Sequence, residues 1–290
     1  MCSRKRKVSP HSSTNTDLHR FFGQSTVIKK KLKQQLDRSL FVYPFLTAYP
    51  IPTFDLSLSI NVKQQKVIND KPQLDLIYFK SFIQSSTDQE LYIYLLTSLP
   101  WYRVEYTKEN LKISTPRYTT VFGIDETKQP AEVYQRPPRE IPLVLQELKD
   151  RVERATSATY NFVLCNYYSS GNDSISYHSD DERFLGVKPT IASLSLGSQR
   201  DFYMKNKQDA KITQNFLLES GDLLVMRGET QAHWLHSIPK RTHAQGRINV
   251  TFRRAMIPEG TNNYYKYNVG DGQIFRFLNG IMTKYEEEES

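Results

Sequence analysis

Between Asn161 and Arg254 the chain runs through six short apolar stretches separated by turn residues: NFVLCNYY, SISYH, TIASLSLG, RDFYMK, DLLVMRG and RINVTFRR. Each is too short for a helix and rich in β-branched or aromatic residues, so each reads as a strand. Strands this short bury their apolar sides only by facing one another. The succession therefore predicts a closed or sandwiched β structure. Gly221-Asp222, just before LLVM, marks a tight turn.

Upstream the pattern is mixed. LDLIYFKSFI reads as a strand entering a turn, and SSTDQE supplies N-cap chemistry for a helix through LYIYLLTSL. RVEY and LKIS flank TKEN as a hairpin, and TPRYTTVFG follows. REIPLVLQELKDRVERAT is the clearest helix, with Pro142 in its first turn and Ile141, Leu143, Leu145 and Leu148 on its apolar face. The fold class expected is α+β, mainly β. With 290 residues, the chain can bury a sizeable core. Its 18 Tyr and 15 Phe against 12 Gly suit a β-rich body.

Chemistry concentrates in NYYSSGNDSISYHSDDE and in the segments downstream of it. His178 and Asp180 form a His-x-Asp pair, a second histidine lies in HWLHSIPK, and RINVTFR spaces Arg247, Asn249 and Arg253. One carboxylate and two imidazoles make the facial triad of a non-haem Fe(II) oxygenase. An arginine beyond the distal histidine suits the far carboxylate of 2-oxoglutarate. By composition either His233 or His236 could be the distal ligand. Each piece alone is weak; their order within strand-like sequence favours a metal site over coincidence.

These residues resemble the AlkB family of Fe(II)/2-oxoglutarate dioxygenases, and most closely its eukaryotic DNA-repair members. The likeness runs from about Leu74 to Arg254, and HSDDE followed by SLGSQRDF is its most specific part. It implies a double-stranded β-helix (jelly-roll) core with N-terminal helices and a nucleotide-recognition lid built from the preceding hairpins. It implies His178, Asp180 and His236 as catalytic iron ligands, with Fe(II), 2-oxoglutarate and O2 as cofactors. Asn166, Tyr168 and Asn249 match groups that hydrogen-bond 2-oxoglutarate, while Arg247 and Arg253 match those that pair with its carboxylates. Asp181 and Glu182 fall where the family reads the damaged base. Arg200 matches a motif arginine near the site, and Tyr134 is a candidate base-stacking residue. The implied reaction is demethylation of N1-methyladenine and N3-methylcytosine in DNA. RNA or protein substrates, or a silent nucleic-acid-binding module, are the alternatives. The hairpin tip TKEN is polar where duplex-repair members carry an apolar finger; only Tyr106 and Leu111 flank it.

The rest of the chain is assigned by composition. Residues 1–72 are basic and expected to be largely disordered, 73–257 form the dioxygenase domain, and 258–290 are an extension with an acidic tail. A net charge of +8 suits an anionic partner such as DNA. NTDLHRFF, with Asn15, Leu18, Phe21 and Phe22, looks like the box that docks repair enzymes on the sliding clamp. RKRKVSP resembles a nuclear-import signal, so a nuclear location is expected. Two cysteines, Cys2 and Cys165, predict no structural disulfide and a reducing compartment. No apolar run is long enough to span a bilayer, and a monomer is expected.

Overall fold

Residues 60–123, 140–256 and 273–285 are described by the structure, a computed structural model. Sixteen strands among the described residues carry the fold. They are β1 (Gln65–Ile68), β2 (Leu76–Phe79), β3 (Trp101–Tyr102), β4 (Glu105–Lys108), β5 (Leu111–Ser114), β6 (Tyr118–Gly123), β7 (Phe162–Tyr168) and β8 (Ile175–His178). After them come β9 (Ile191–Gly197), β10 (Arg200–Asn206), β11 (Thr213–Leu218), β12 (Leu223–Met226), β13 (Trp234–Ile238), β14 (Arg247–Arg253), β15 (Ile274–Leu278) and β16 (Ile281–Lys284). Helix α1 (Ser85–Ser98) and helix α2 (Leu143–Thr156) precede the core strands, and a short helical turn, α3 (Thr230–His233), lies among them.

Ten strands form the major sheet in the order β1-β2-β12-β9-β14-β7-β6-β3-β15-β16, and four form the minor sheet, β11-β10-β13-β8. From β7 to β14 the chain passes back and forth between the two sheets. That interleaving is the double-stranded β-helix implied by the resemblance.

The central strands of the major sheet are buried on both sides, which is why they read as near-continuous apolar runs. All seven residues of β7 are buried. Its even-numbered residues Phe162, Leu164 and Tyr168 join the core between the sheets. Helix α1 packs against β9 and β15 on the other side. Each fully buried Phe or Leu here contributes roughly 1.5–3 kcal/mol. Gly221 sits at φ +82°, and a Cβ there would stand 2.3 Å from the Ile83 carbonyl oxygen, so this turn admits only glycine.

Several expectations need correction. The body begins before residue 73: β1 pairs with β2, and the Ile60–Ile83 bridge lies earlier still. Only Ile68 of β1 is buried, so this edge strand has no alternation to read. Within the C-terminal extension, β15 pairs with β3 and brings β16 into the major sheet. Helix α1 takes its N-cap from Gln84, whose carbonyl accepts from the Thr87 and Asp88 amides. Ile83 is held to Gly221, which fixes the chain up to that point. On α2 the buried residues include Val144, Leu145, Leu148 and Val152, while Leu143 faces out. The β4–β5 hairpin is present, with Glu109 and Asn110 both at positive φ, the signature of a type I′ turn. Asn15, Leu18, Phe21, Phe22 and Tyr134 lie outside the described residues.

Candidate metal centre

Register brings the two histidines together. His236 on β13 is the direct cross-strand partner of His178 on β8, which leaves their ring centroids 4.2 Å apart. Asp180 lies just past the end of β8. Its carboxylate oxygens are 3.9 Å from Nε2 of His178 and 3.9 Å from Nε2 of His236. All three ligand atoms lie within 4.8 Å of one another. Two metal–ligand bonds of about 2.1 Å span at most about 4.2 Å, so a first-row ion fits between the carboxylate and either imidazole. His178 Nδ1 faces the Ser176 carbonyl at 2.9 Å. A carbonyl can only accept, so Nδ1 carries the proton and Nε2 is left as the ligand atom. The other candidate, His233, pairs with Glu229 outside this cluster.

The electrostatics suit a cation. Burial pushes the His236 imidazole down to about 3, against the pull of Asp180, so the ring is in its neutral, metal-binding form. Burial would raise the Asp180 carboxyl, but Arg253, His236 and His178 together hold it below the usual carboxylate range. Arg253 Nη2 lies 2.9 Å from Asp180, and its Nη1 lies 3.6 Å from Glu182.

The cavity around these groups lies between the two sheets and is partly open to solvent. The minor sheet contributes His178, His236, Phe202 and Ile238; the major sheet contributes Asn166, Tyr168, Asn249 and Arg253. Phe202 stacks on His236 at 5.3 Å. Thr119, Asn166, Asn249 and Ser195 stand at one register across β6, β7, β14 and β9, a polar row across otherwise apolar strands.

Within that row the two asparagines differ. Asn166 Oδ1 accepts from Thr119 Oγ1 at 2.9 Å and Arg117 Nε at 3.1 Å, which leaves its amide hydrogens for a ligand. Asn249 Nδ2 is committed to Ser193 Oγ and the Leu194 carbonyl. Its open group is therefore the acceptor Oδ1, which takes a bond from Thr251.

The arginines differ as sharply. Arg247 is 1% exposed and stands just behind the lining residues, with Nη2 on Ser195 Oγ at 2.9 Å. Its Nε and Nη1 have no hydrogen-bond partner among the described residues. Burial lowers its pKa to about 10, with Arg200 adding to the effect and Tyr168 opposing it. A buried guanidinium with two idle donors is what a carboxylate ligand requires. Arg200, expected to touch substrate, instead is fully buried and bonded to the carbonyls of Ser170, Asp173 and Pro239. It is a strut that ties two loops beneath Tyr168, and it does not line the cavity. Asp181 also lies off the lining, its carboxylate held by Ser179 and Lys207.

Sequence reasoning missed Thr119, Ser195 and Gln231. Gln231 is buried and its Oε1 accepts the Asp180 amide at 2.8 Å. Nothing in RGETQAHW marks it as part of the site.

A family model described as the 2OG-Fe(II) oxygenase superfamily matches residues 75–253, and the chain belongs to that superfamily. Its relatives place it in the AlkB branch. It is 38% identical over 168 residues to the mouse Alpha-ketoglutarate-dependent dioxygenase alkB homolog 3, covering 55% of this chain and 58% of that protein. It is 32% identical over 225 residues to the Arabidopsis thaliana DNA oxidative demethylase ALKBH2, covering 67% and 71%. With the human DNA oxidative demethylase ALKBH2 it shares 38% over 122 residues, 39% of this chain and 47% of that one. The chain thus spans under two thirds of the mouse relative's length. The superfamily's cofactors are Fe(II), 2-oxoglutarate and O2, and the donor set of His178, Asp180 and His236 fits the iron. No helix among the described residues is long and apolar enough to cross a membrane.

Proposed function

We propose that this protein removes methyl groups from N1-methyladenine and N3-methylcytosine in DNA by Fe(II)/2-oxoglutarate-dependent oxidation. The observation that carries the reading is the convergence of His178, Asp180 and His236 beside a cavity lined by Arg253, with the idle donors of Arg247 behind it. Iron with 2-oxoglutarate and O2, when bound, supplies the oxidation of an N-methyl carbon, which leaves as formaldehyde while the co-substrate becomes succinate and CO2. His178, Asp180 and His236 would hold the iron on one face. Arg247, Arg253 and the Asn166 amide would orient the co-substrate by charge-assisted and neutral hydrogen bonds. Tyr168 would pack against it. Asn249 would act through its acceptor oxygen and by keeping β14 and β9 in register.

The target methyl lies on the Watson–Crick edge, so the base must leave the stack or come from a single strand. Glu182, 3.6 Å from the lining residue Arg253, and Asp181, next to Asp180 in the chain, would supply negative charge near the site, which suits a base made cationic by methylation. The hairpin tip is polar at Glu109 and Asn110, although Leu111 beside it is 68% exposed. A polar tip favours single strands over a wedge into duplex. The proposal extends to nuclear action and to the clamp box at Asn15, Leu18, Phe21 and Phe22. A peptide of residues 11–33 that shows no calorimetric binding to the clamp removes the latter.

The test is mass spectrometry of a short DNA carrying one N1-methyladenine, incubated aerobically with protein, Fe(II), ascorbate and 2-oxoglutarate. Loss of one methyl-sized mass unit that disappears with His178→Ala is expected. The same experiment on a ribose oligonucleotide separates a DNA from an RNA preference. Succinate without methyl loss moves the search to RNA or peptides, and neither product from iron-loaded protein defeats the enzyme reading.

A further inference from the structure

Asp180 differs from the two histidines in how it is held. His178 and His236 sit on paired strands, so the sheet fixes their backbone. Asp180 lies beyond the end of β8, where no strand pairing reaches it. Its amide instead donates to Oε1 of Gln231, 51 residues away, at 2.8 Å. Both residues are almost wholly buried, Asp180 at 5% exposure and Gln231 at 1%. The amide orientation is forced, because an N–H donor needs the side-chain oxygen opposite it. Gln231 Nε2 then faces Met226 Sδ at 3.2 Å, a weak acceptor, so the side chain is organised chiefly around Asp180.

The turn that carries Gln231 is itself anchored. Thr230 Oγ1 accepts the Asp75 amide at 3.0 Å and reaches the Asp75 carbonyl at 3.2 Å. Lys207 closes the arrangement from outside: its Nζ donates to the Gln231 carbonyl at 3.0 Å and to Asp181 Oδ2 at 3.1 Å. The loop from Ser179 to Asp181 is thereby clasped to α3 at two points.

We propose that Gln231 is the positioning residue for the carboxylate ligand: its side-chain carbonyl holds the Asp180 backbone so that the carboxylate meets the two imidazoles. This rests on the metal-centre reading. Without the acceptor, the buried Asp180 amide must find another partner, and the loop shifts to find it. Groups one step behind a metal ligand typically change affinity by about 10–100-fold.

Anaerobic calorimetric titration of the full chain with Fe(II) provides the test. Gln231→Leu keeps the volume and removes the acceptor; its Kd is expected to rise about 10–100-fold over wild type. Gln231→Glu keeps an oxygen opposite the amide and should recover most of that loss. Melting of the metal-free proteins is followed alongside, because a merely structural residue would lower the melting temperature while the folded protein bound iron unchanged. Equal affinity for wild type and Gln231→Leu overturns the proposal, as does failure of Gln231→Glu to recover. If the Leu variant does not fold, Gln231→Asn, whose acceptor is drawn back by one methylene, must show the same weakening. Wild type that binds no iron fails the metal-centre reading itself, a result distinct from either.

Discussion

Replacing Arg247 by methionine separates a ligand-binding charge from a structural one. The guanidinium is buried, Nη2 is spent on Ser195, and Nε and Nη1 have no partner among the described residues. Two charge-assisted hydrogen bonds to a carboxylate are worth about 1.5–3 kcal/mol each, so losing both raises the 2-oxoglutarate Kd by roughly 10²–10⁴-fold. Thermal melting with Mn(II) in place of iron reads this without turnover. At a concentration 100 times its Kd, 2-oxoglutarate should stabilise wild type by about 2.7 kcal/mol, which is roughly 5–10 °C for a domain of this size. If Kd rises 100-fold, the same concentration gives Arg247→Met only about 0.4 kcal/mol, or roughly 1 °C. The ligand-free variant should melt no lower than wild type, because a buried charge with idle donors costs stability until its partner arrives. Arg247→Lys keeps charge without the fork and should fall between the two. A methionine variant that still gains about 5 °C or more, or that melts far below wild type without ligand, would refute the argument.

Other outcomes rest on the same geometry. Arg200→Met should cost about 2–5 kcal/mol in urea unfolding, since three loop carbonyls lose their donor, yet leave the 2-oxoglutarate-dependent shift near that of wild type. Gly221→Ala places a Cβ 2.3 Å from the Ile83 carbonyl at φ +82°, and a loss of about 2–4 kcal/mol is expected by the same assay. Glu109→Asn with Asn110→Gly, which supplies the residues a type I′ turn prefers, should gain about 0.5–1 kcal/mol. Affinity for single-stranded DNA, followed by fluorescence anisotropy, should fall with rising salt; a flat response would argue against phosphate contacts.

What could be read from the sequence is what local pattern encodes. The central strands β7, β9, β12 and β14 announced themselves because burial on both faces demands unbroken apolar runs. The edge strands did not: three of the four residues of β1 are exposed, and β16 has only one half-buried position. β13 was hidden for a chemical reason. Its inward position is a histidine, so WLHSI lacks the apolar alternation of a strand even though it is one. Two ligands of the metal site, His178 and Asp180, were legible because they share one short motif, whereas the choice of His236 over His233 came from the resemblance to the AlkB family. The surroundings of Arg200 were not legible because the groups that bind it, Ser170, Asp173 and Pro239, lie 30 and 27 residues upstream and 39 residues downstream. Sequence shows an arginine after a turn, and only the fold shows the carbonyls waiting for it.

Charge inside the cavity leads to a last prediction. The Asp180 carboxylate and the Arg253 guanidinium offset one another at 2.9 Å, while Arg247 stands unopposed behind them. With His236 neutral, Asp180, Arg253 and Arg247 sum to one net positive charge, partly offset by Glu182 at 3.6 Å from Arg253. A divalent cation entering alone makes the site more positive and competes with Arg253 for Asp180. A dianion entering alone pairs with the arginines and leaves Asp180 facing like charge. Entering together, metal and 2-oxoglutarate leave the net charge unchanged, so each should ease the binding of the other. Coupling energies between sites are typically about 1–3 kcal/mol, which corresponds to about a 5–150-fold tightening. Calorimetric titration of Mn(II) with and without saturating 2-oxoglutarate measures the factor, and the reverse titration must return the same one, because coupling of equilibrium affinities is reciprocal. Succinate, a dianion without the keto group, adds a control. If it couples as strongly as 2-oxoglutarate, charge alone carries the effect; if it does not couple at all, direct ligation of the metal carries it, and the electrostatic explanation fails.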